Sequence, residues 1–352
     1  MSLSRTQEFV GVAAVALALF ASAAAPAQAA PGSSHAPQDE SFSFAVIGDV
    51  PYGSAQIARF PAMVSELNEQ EDLRFVSHVG DIKAGSALCT DEYFAAIKAQ
   101  FDRFEAPLVY TPGDNEWVDC HRTNNGSFDP LERLEALRSV FFSDPGKTLG
   151  ANMPVDVPDS ALPENVRFGV QRVAFSVLNV QGSNNSLMPW TGLGLSVPTA
   201  AQLQEVASRT AADVEQLERT FADAKRTNAR AVVIMTQADM FDPFLLQLGA
   251  AEHPELVSGF LPIVDALAEG ARGFGGEVYL FNGDSHVYTD DSPLAAGSPW
   301  LEIYGQDDVD SLRRVTVEGA ATSNEWLRVS VQPNSGPGEG VLSWERVPYT
   351  GS

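Results

Sequence analysis

The stretch VYLFNGDSH, Val278–His286, is an apolar run that ends in Gly-Asp and then offers a serine and a histidine. Three other runs end the same way: FAVIGD at Asp49, FVSHVGD at Asp81 and LVYTPGD at Asp114. One Gly-Asp after a strand is ordinary turn chemistry, because glycine permits the turn and aspartate favours it. Four of them form a pattern. In an open parallel sheet the carboxyl ends of the strands share one edge, and ligands bind there. If these runs are neighbouring strands, four carboxylates face one crevice. Like charges a few ångströms apart raise one another's pKa, and a multivalent cation removes the conflict. The cluster reads as a metal site.

The same stretch raises serine chemistry at Ser285. No G-x-S-x-G elbow occurs in the chain, and too little sequence follows to supply the partners a GDS-type hydrolase places near its end. Ser285 reads as a spacer. Asp284 and His286 point the same way on an extended segment and are the better ligands.

Working outward, β-rich runs at Phe42–Ile47, Arg74–Val79, Pro107–Tyr110, Val173–Val180, Ala231–Met235 and Glu277–Phe281 alternate with helical patterns. Helices are expected over Ile57–Leu67, Asp91–Phe104 and Pro254–Ala271, and after capping boxes at Asp129–Glu132 and Thr199–Gln202. This alternation indicates an α/β chain with a largely parallel sheet. The segments 144–164 and 182–197 read as long loops. After His286, short strands at Trp300–Ile303, Arg313–Val317, Trp326–Val331 and Val341–Trp344 are expected to pair antiparallel, since no helix separates them.

Residues 1–29 read as a secretory signal peptide: an apolar run from Val10 to Ala21, then the small-x-small site Ala27-Gln28-Ala29, with no cysteine after it to carry a lipid. Residues 30–41 read as a flexible lead-in and 42–348 as a single domain. An exported chain, periplasmic or extracellular, permits a disulfide between Cys89 and Cys120. The net charge of −24 repels nucleic-acid phosphates and argues for a small substrate, or one met through bound cations. No later segment approaches the roughly 18 apolar residues a membrane helix needs.

The motifs GDVPYG (Gly48–Gly53), GDIKAG (Gly80–Gly85), GDNEW (Gly113–Trp117), IMTQAD (Ile234–Asp239) and GDSH (Gly283–His286) resemble, in order and spacing, those of the calcineurin-like metallophosphoesterase superfamily, which includes the purple acid phosphatases. The resemblance covers about Phe42 to Tyr288. It implies an α/β, four-layer αββα sandwich with two mixed β-sheets flanked by helices. It also implies that Asp49 binds a first metal, Asp81 bridges two, and His286 returns to the first. The departures are substantial. Pro51 stands where many members have a histidine ligand. Ala84 stands where purple acid phosphatases have a tyrosine, for which Tyr52 is a nearby substitute. Asp114 replaces an asparagine ligand, Asn115 the histidine that assists the leaving group, and Gln237 and Asp284 two histidines of the second metal. An oxygen-rich site favours Mn²⁺, Mg²⁺ or Ca²⁺ over Zn²⁺, one ion or two, with iron left open.

The function implied is a secreted hydrolase that cleaves a small phosphate ester through metal-activated water. The alternative is a non-catalytic, metal-stabilised binding protein on the same fold. His121 and Arg122 are candidates beside Asn115 for assisting the leaving group. Lys83, Arg122 and Asn185 are candidates for holding the phosphate. Each has a plainer reading, as a surface lysine, a loop pinned by Cys120, or a turn. His78 reads as a core residue, and Asp239 as a support for Gln237. The sequence identifies no partner protein.

Overall fold

The computed structural model describes residues 41–333 and 340–350. The expected signal peptide and all but the last residue of the lead-in lie outside the described residues. In chain order the first half gives β1 (Phe42–Ile47), α1 (Gly53–Asn68), β2 (Leu73–His78), α2 (Asp91–Phe101), β3 (Pro107–Tyr110), α3 (Pro130–Phe141), β4 (Leu149–Gly150), β5 (Val166–Val170) and β6 (Val173–Val177). The second half gives α4 (Gly182–Ser186), α5 (Ala200–Arg226), β7 (Ala231–Met235), α6 (Pro243–Gln247), α7 (Leu261–Phe274), β8 (Glu277–Asn282), β9 (Thr289–Asp291), α8 (Pro299–Tyr304), β10 (Leu312–Thr316), β11 (Glu325–Val331) and β12 (Leu342–Pro348).

The strands form two sheets, ordered β12-β11-β1-β2-β3-β4 and β5-β6-β7-β8-β10-β9. Each has a parallel centre, β1-β2-β3 or β6-β7-β8-β10, and antiparallel margins. Side chains alternate across β1. Phe44 and Val46 enter the core between the sheets, while Ala45 and Ile47 meet the core under α1 and α2. Both faces are buried, so the central strands read as unbroken apolar runs rather than as alternation. Between the sheets Phe44 stacks on Phe75 at 4.7 Å and meets Phe175 edge-on at 5.5 Å. The outer face of the second sheet is covered through Leu217 and Phe221 of α5, Val264 and Leu267 of α7, and Trp300 of α8. The result is the expected four-layer αββα sandwich with two mixed sheets.

Four local expectations are corrected. Trp300–Ile303 is not a strand but lies in α8, where Ser298 Oγ accepts from Trp300 N at 3.3 Å and Pro299 occupies the first turn. That helix supplies the crossover a parallel return requires, so β10 pairs parallel with β8. Only β11 and β12 form the expected antiparallel pair, and they extend the first sheet beside β1. The box at Asp129 forms by half. Asp129 accepts from Leu131 N and Glu132 N, but Glu132 turns to Arg133 instead of the cap. The box at Thr199 and Gln202 forms in both directions. The helix expected from Pro254 begins only at Leu261. Among the described residues, no helix is long and apolar enough to cross a membrane.

Candidate metal centre

The carboxyl ends of β1, β2, β3 and β8 meet at one edge. Asp49, Asp81 and Asp284 have φ of 52°, 58° and 74°, and His286 has 61°. Left-handed backbone costs about 1–3 kcal/mol per residue and is retained where the surroundings enforce it. Aspartate tolerates it better than most side chains. Here it turns each carboxylate off its strand and into the crevice. The glycines serve a different need. A methyl group on Gly113 would overlap the Asp81 carboxylate, and one on Gly283 would overlap that of Asp49. At these two pairs the glycine clears space for the carboxylate of another pair, whereas Gly48 and Gly80 make room for Val79 and Gln237.

Two sets of ligand atoms result. Those of Asp49, Asp81 and His286 lie within 4.8 Å of one another, and those of Asp81, Asp114 and Asp284 do likewise. Asp81 belongs to both. His286 Nε2 stands 3.3 Å from Asp49 Oδ1 without hydrogen-bond alignment, and Asp49 Oδ2 is buried with no partner among the described residues. Burial, then Asp114 and the other carboxylates, push Asp81 well above the usual range. Asp284 is pushed up by burial and by Asp114 and Asp49. Asp114 is raised by burial against the opposing pull of Arg122. An unpartnered buried oxygen and mutually repelling carboxylates fit a divalent cation. Uncompensated buried charge of one sign is otherwise costly.

Tyr52 and Asn115 both reach this cluster. Tyr52 Oη donates to Asp81 Oδ2 at 2.7 Å, and Asn115 Nδ2 donates to the same oxygen and to Tyr52 Oη, each at 2.7 Å. Burial and the adjacent carboxylates keep the phenol protonated. Through this bond Tyr52, expected as a ligand, reaches the cluster and holds the Asp81 carboxylate. Gln237 turns its ligating atom away: its Oε1 accepts from Gly182 N at 2.9 Å, leaving Nε2 3.4 Å from Asp114 Oδ1.

The residues expected to hold phosphate divide. Arg122 is half-exposed, with Nη1 2.6 Å from Asp119 Oδ2. His121 Nδ1 accepts from Gly192 N at 3.1 Å, which puts the proton of the neutral ring on Nε2. Burial first, then Arg122, lower its pKa. Lys83 is fully buried and donates to Asn125 Oδ1 at 2.8 Å and Ala84 O at 3.1 Å, so it does not reach the crevice surface. Asn185 is fully buried as well. Its amide donates to Gly259 O and Thr210 Oγ1, and its carbonyl accepts from Arg209. Cys89 and Cys120 are disulfide-bonded. The loop carrying His121 and Arg122 is thus tied to the one entering α2.

Sequence reasoning missed Glu116 and misplaced Asp239. Buried Glu116 accepts from Ile82 N at 3.0 Å, Gly113 N at 3.1 Å and Tyr110 Oη at 3.0 Å, which binds the second Gly-Asp turn to the third. Its three-residue spacing from Gly113 was the available signal. Asp239 does not support Gln237. Its carboxylate pairs with the buried Arg314 at 2.6 Å, and its N–H points at Asp284 Oδ2 at 3.3 Å. His78 is a core residue, as expected: Nε2 bonds Val50 O at 2.8 Å, and burial lowers its pKa to about 4.

No protein-family model matches the chain, and no curated protein sequence does. Solved structures similar to it include a dimetal phosphatase from Danio rerio, at 13% identity and TM-score 0.46, over 88% of this chain and 99% of that one. Another is the NAD nucleotidase of Haemophilus influenzae, at 14% identity and TM-score 0.43, over 88% of this chain and 50% of that one. A third is the anchor in the inner membrane complex of Plasmodium, at 10% identity and TM-score 0.44, over 88% and 89%. At this distance the likenesses carry no functional argument. The chain's own architecture does speak to its fold. Two mixed sheets lie between helical layers, and β1, β2, β3 and β8 deliver the carboxylates in chain order. That is the four-layer sandwich expected from the motifs, with a largely aspartate-based cluster that could hold a cation.

Proposed function

We propose that this chain is an exported, metal-dependent phosphoesterase acting on a small phosphate ester. The observation that carries the reading is the pair of triads sharing Asp81, with the half-exposed guanidinium of Arg122 acting on Asp114. Asp49, Asp81 and His286 would hold one divalent cation, and Asp81, Asp114 and Asp284 a second. A cation bound there supplies Lewis-acid charge and acidifies a water. The remaining roles belong to the chain. Tyr52 and Asn115 fix the Asp81 carboxylate. Arg122, anchored on Asp119, is suited to bidentate contact with a phosphoryl group. His121 presents an Nε2–H that can hydrogen-bond a leaving oxygen. The oxygen-rich donor set favours Mn²⁺, Mg²⁺ or Ca²⁺ over Zn²⁺, with iron as a further possibility. We also propose that residues 1–29 direct export and that 42–348 act as one domain; the disulfide supports an oxidising compartment.

One observation favours a second reading. Asn115, at the place where the family has its leaving-group histidine, spends its amide on Asp81 and Tyr52. A metal-stabilised binding protein would need nothing more. Calorimetric titration of the chelator-stripped chain with Mn²⁺, followed by assays on phosphomonoesters and phosphodiesters, separates the two. Tight Mn²⁺ binding with turnover, both lost in Asp81→Ala, supports the enzyme. Tight binding with no turnover on any ester supports the binding protein.

A further inference from the structure

The exposed apolar side chains are not spread evenly. Among the described residues, Leu88, Met188, Leu193, Val197 and Val287 lie on loops that follow the carboxyl ends of strands, the edge that carries the aspartate cluster, while Ile57, Leu203, Phe244 and Leu248 lie on or just after helices α1, α5 and α6. Ile57 follows β1 and Leu88 follows β2. Met188, Leu193 and Val197 follow β6, with Leu203 in the first turn of α5. Phe244 and Leu248 follow β7, and Val287 follows His286 directly. The opposite edge is polar. The loops that enter β2, β7 and β10 read EQED (69–72), TNAR (227–230) and QDDVDS (306–311). Scattered single exposed apolar residues need no explanation, but several on loops beside one candidate site do.

Part of this rim connects to the residues that would meet the phosphate. Gly192 N donates to His121 Nδ1 at 3.1 Å, so Leu193 is next in sequence to a contact with His121. Gln202 Nε2 donates to Met188 O at 2.8 Å and fixes that residue on the same loop. The disulfide sets Leu88 beside Cys120, the neighbour of His121. Val287 is exposed by 63% and Val197 by 67%, far beyond what packing of the chain itself requires.

We infer that the group esterified to phosphate is apolar, an alkyl or aryl chain that lies on the rim formed by Met188, Leu193, Val197 and their neighbours while Arg122 meets the phosphate. This rests on the phosphoesterase reading and names its substrate class. The charge of the chain points the same way. At −24, it repels a leaving group that carries further phosphates or carboxylates, and an acidic lipid surface equally, but not a neutral hydrocarbon.

The test uses the Mn²⁺-loaded full chain and n-alkylphosphonates from methyl to octyl, which bind without being hydrolysed. Affinity is measured by calorimetry. The expected result is a Kd that falls by about two- to fourfold per added methylene, the upper figure being that of full burial. Met188→Ser with Leu193→Ser should flatten this slope, and Val197→Ser should reduce it; such exposed positions rarely decide folding. A Kd independent of chain length overturns the inference, and hydrolysis of methyl phosphate would still leave the phosphoesterase reading standing. A slope without hydrolysis of any alkyl phosphate removes that reading and with it the substrate assignment, an outcome distinct from a flat Kd with hydrolysis, which removes the inference alone. A slope that all the variants retain overturns the inference, because the methylenes would then bind elsewhere. So does a concentration-dependent dimer in sedimentation with no slope, which would give the rim to a second copy of the chain.

Discussion

Tyr52 Oη donates a 2.7 Å hydrogen bond to Asp81 Oδ2, joining the turn after β1 to the aspartate common to both triads. The bond fixes the carboxylate whose position both candidate metal sites require. Tyr52→Phe keeps the ring and removes only the donor. Loss of a group that orients a ligand typically costs 10–100-fold in metal affinity. We expect a drop of about that size in Mn²⁺ affinity by calorimetry, with an unchanged circular dichroism spectrum. Unchanged affinity would show that Asn115 alone holds Asp81.

Asp81→Asn separates stability from metal binding. Burial and neighbouring carboxylates raise Asp81, Asp114 and Asp284 together, so removing one charge relieves the others. In excess chelator the variant should melt higher than the parent chain. With Mn²⁺ the parent should gain and the variant should not. A lower midpoint for the variant in chelator would mean that the carboxylates are not in conflict.

Gly113→Ala tests the space argument. The added methyl would meet the Asp81 carboxylate and its backbone nitrogen, neither of which is a flexible chain end. Overpacking of this kind costs about 1–3 kcal/mol. Urea denaturation should show that loss, and Mn²⁺ affinity should fall with it. An alanine accepted at no cost to either would show that Asp81 has room to move.

Away from the crevice, Asp213 gives a pH signature. Burial raises its pKa to about 7, against the lowering influences of Arg209 and the Asn165 hydrogen bond, and its Oδ2 is unpartnered among the described residues. The folded chain therefore holds this proton where the unfolded chain, with a pKa of about 3.9, has lost it. Its contribution is fully present below about pH 4 and is lost as pH rises through about 7. Asp213→Asn should flatten that part of the stability–pH curve and be the more stable chain at pH 8. Equal slopes between pH 4 and 7 for the two chains would refute the assignment.

The disulfide joins residues separated by 31 positions. Closing a loop of that length stabilises by about 3–4 kcal/mol in the chain-entropy model. Cys89→Ser with Cys120→Ser should lose a comparable amount in urea. Because His121 and Arg122 adjoin Cys120, methylphosphonate affinity should fall as well. A stability loss without any loss of affinity would detach this loop from the site.

Much of this protein was legible in the sequence because the governing rules are local. Apolar runs buried on both faces announce central parallel strands, and Gly-Asp at their ends announces turns that carry carboxylates. Order along the chain then gave Asp49, Asp81, Asp114, Asp284 and His286 as one cluster. Other features were legible only in part. Ser298-Pro299 before Trp300 is a helix start as readable as any, but the β-rich composition around it outweighed it. The antiparallel pairing expected of β10 followed from that single misreading.

By itself, then, the sequence determined the α/β layering, the sheet edge at which the aspartates gather and the cysteines able to pair. These depend on periodicity and on residues adjacent in the chain. The shared place of Asp81 was already implied by the resemblance; only the tertiary structure decided that Tyr52 donates to it and that Lys83 and Asn185 turn inward. Those outcomes rest on partners far away in sequence: Asn125 for Lys83, Arg209 and Gly259 for Asn185, and Asn115 for Tyr52. A buried polar group goes wherever its hydrogen bonds can be completed, and spacing along the chain does not say where that is.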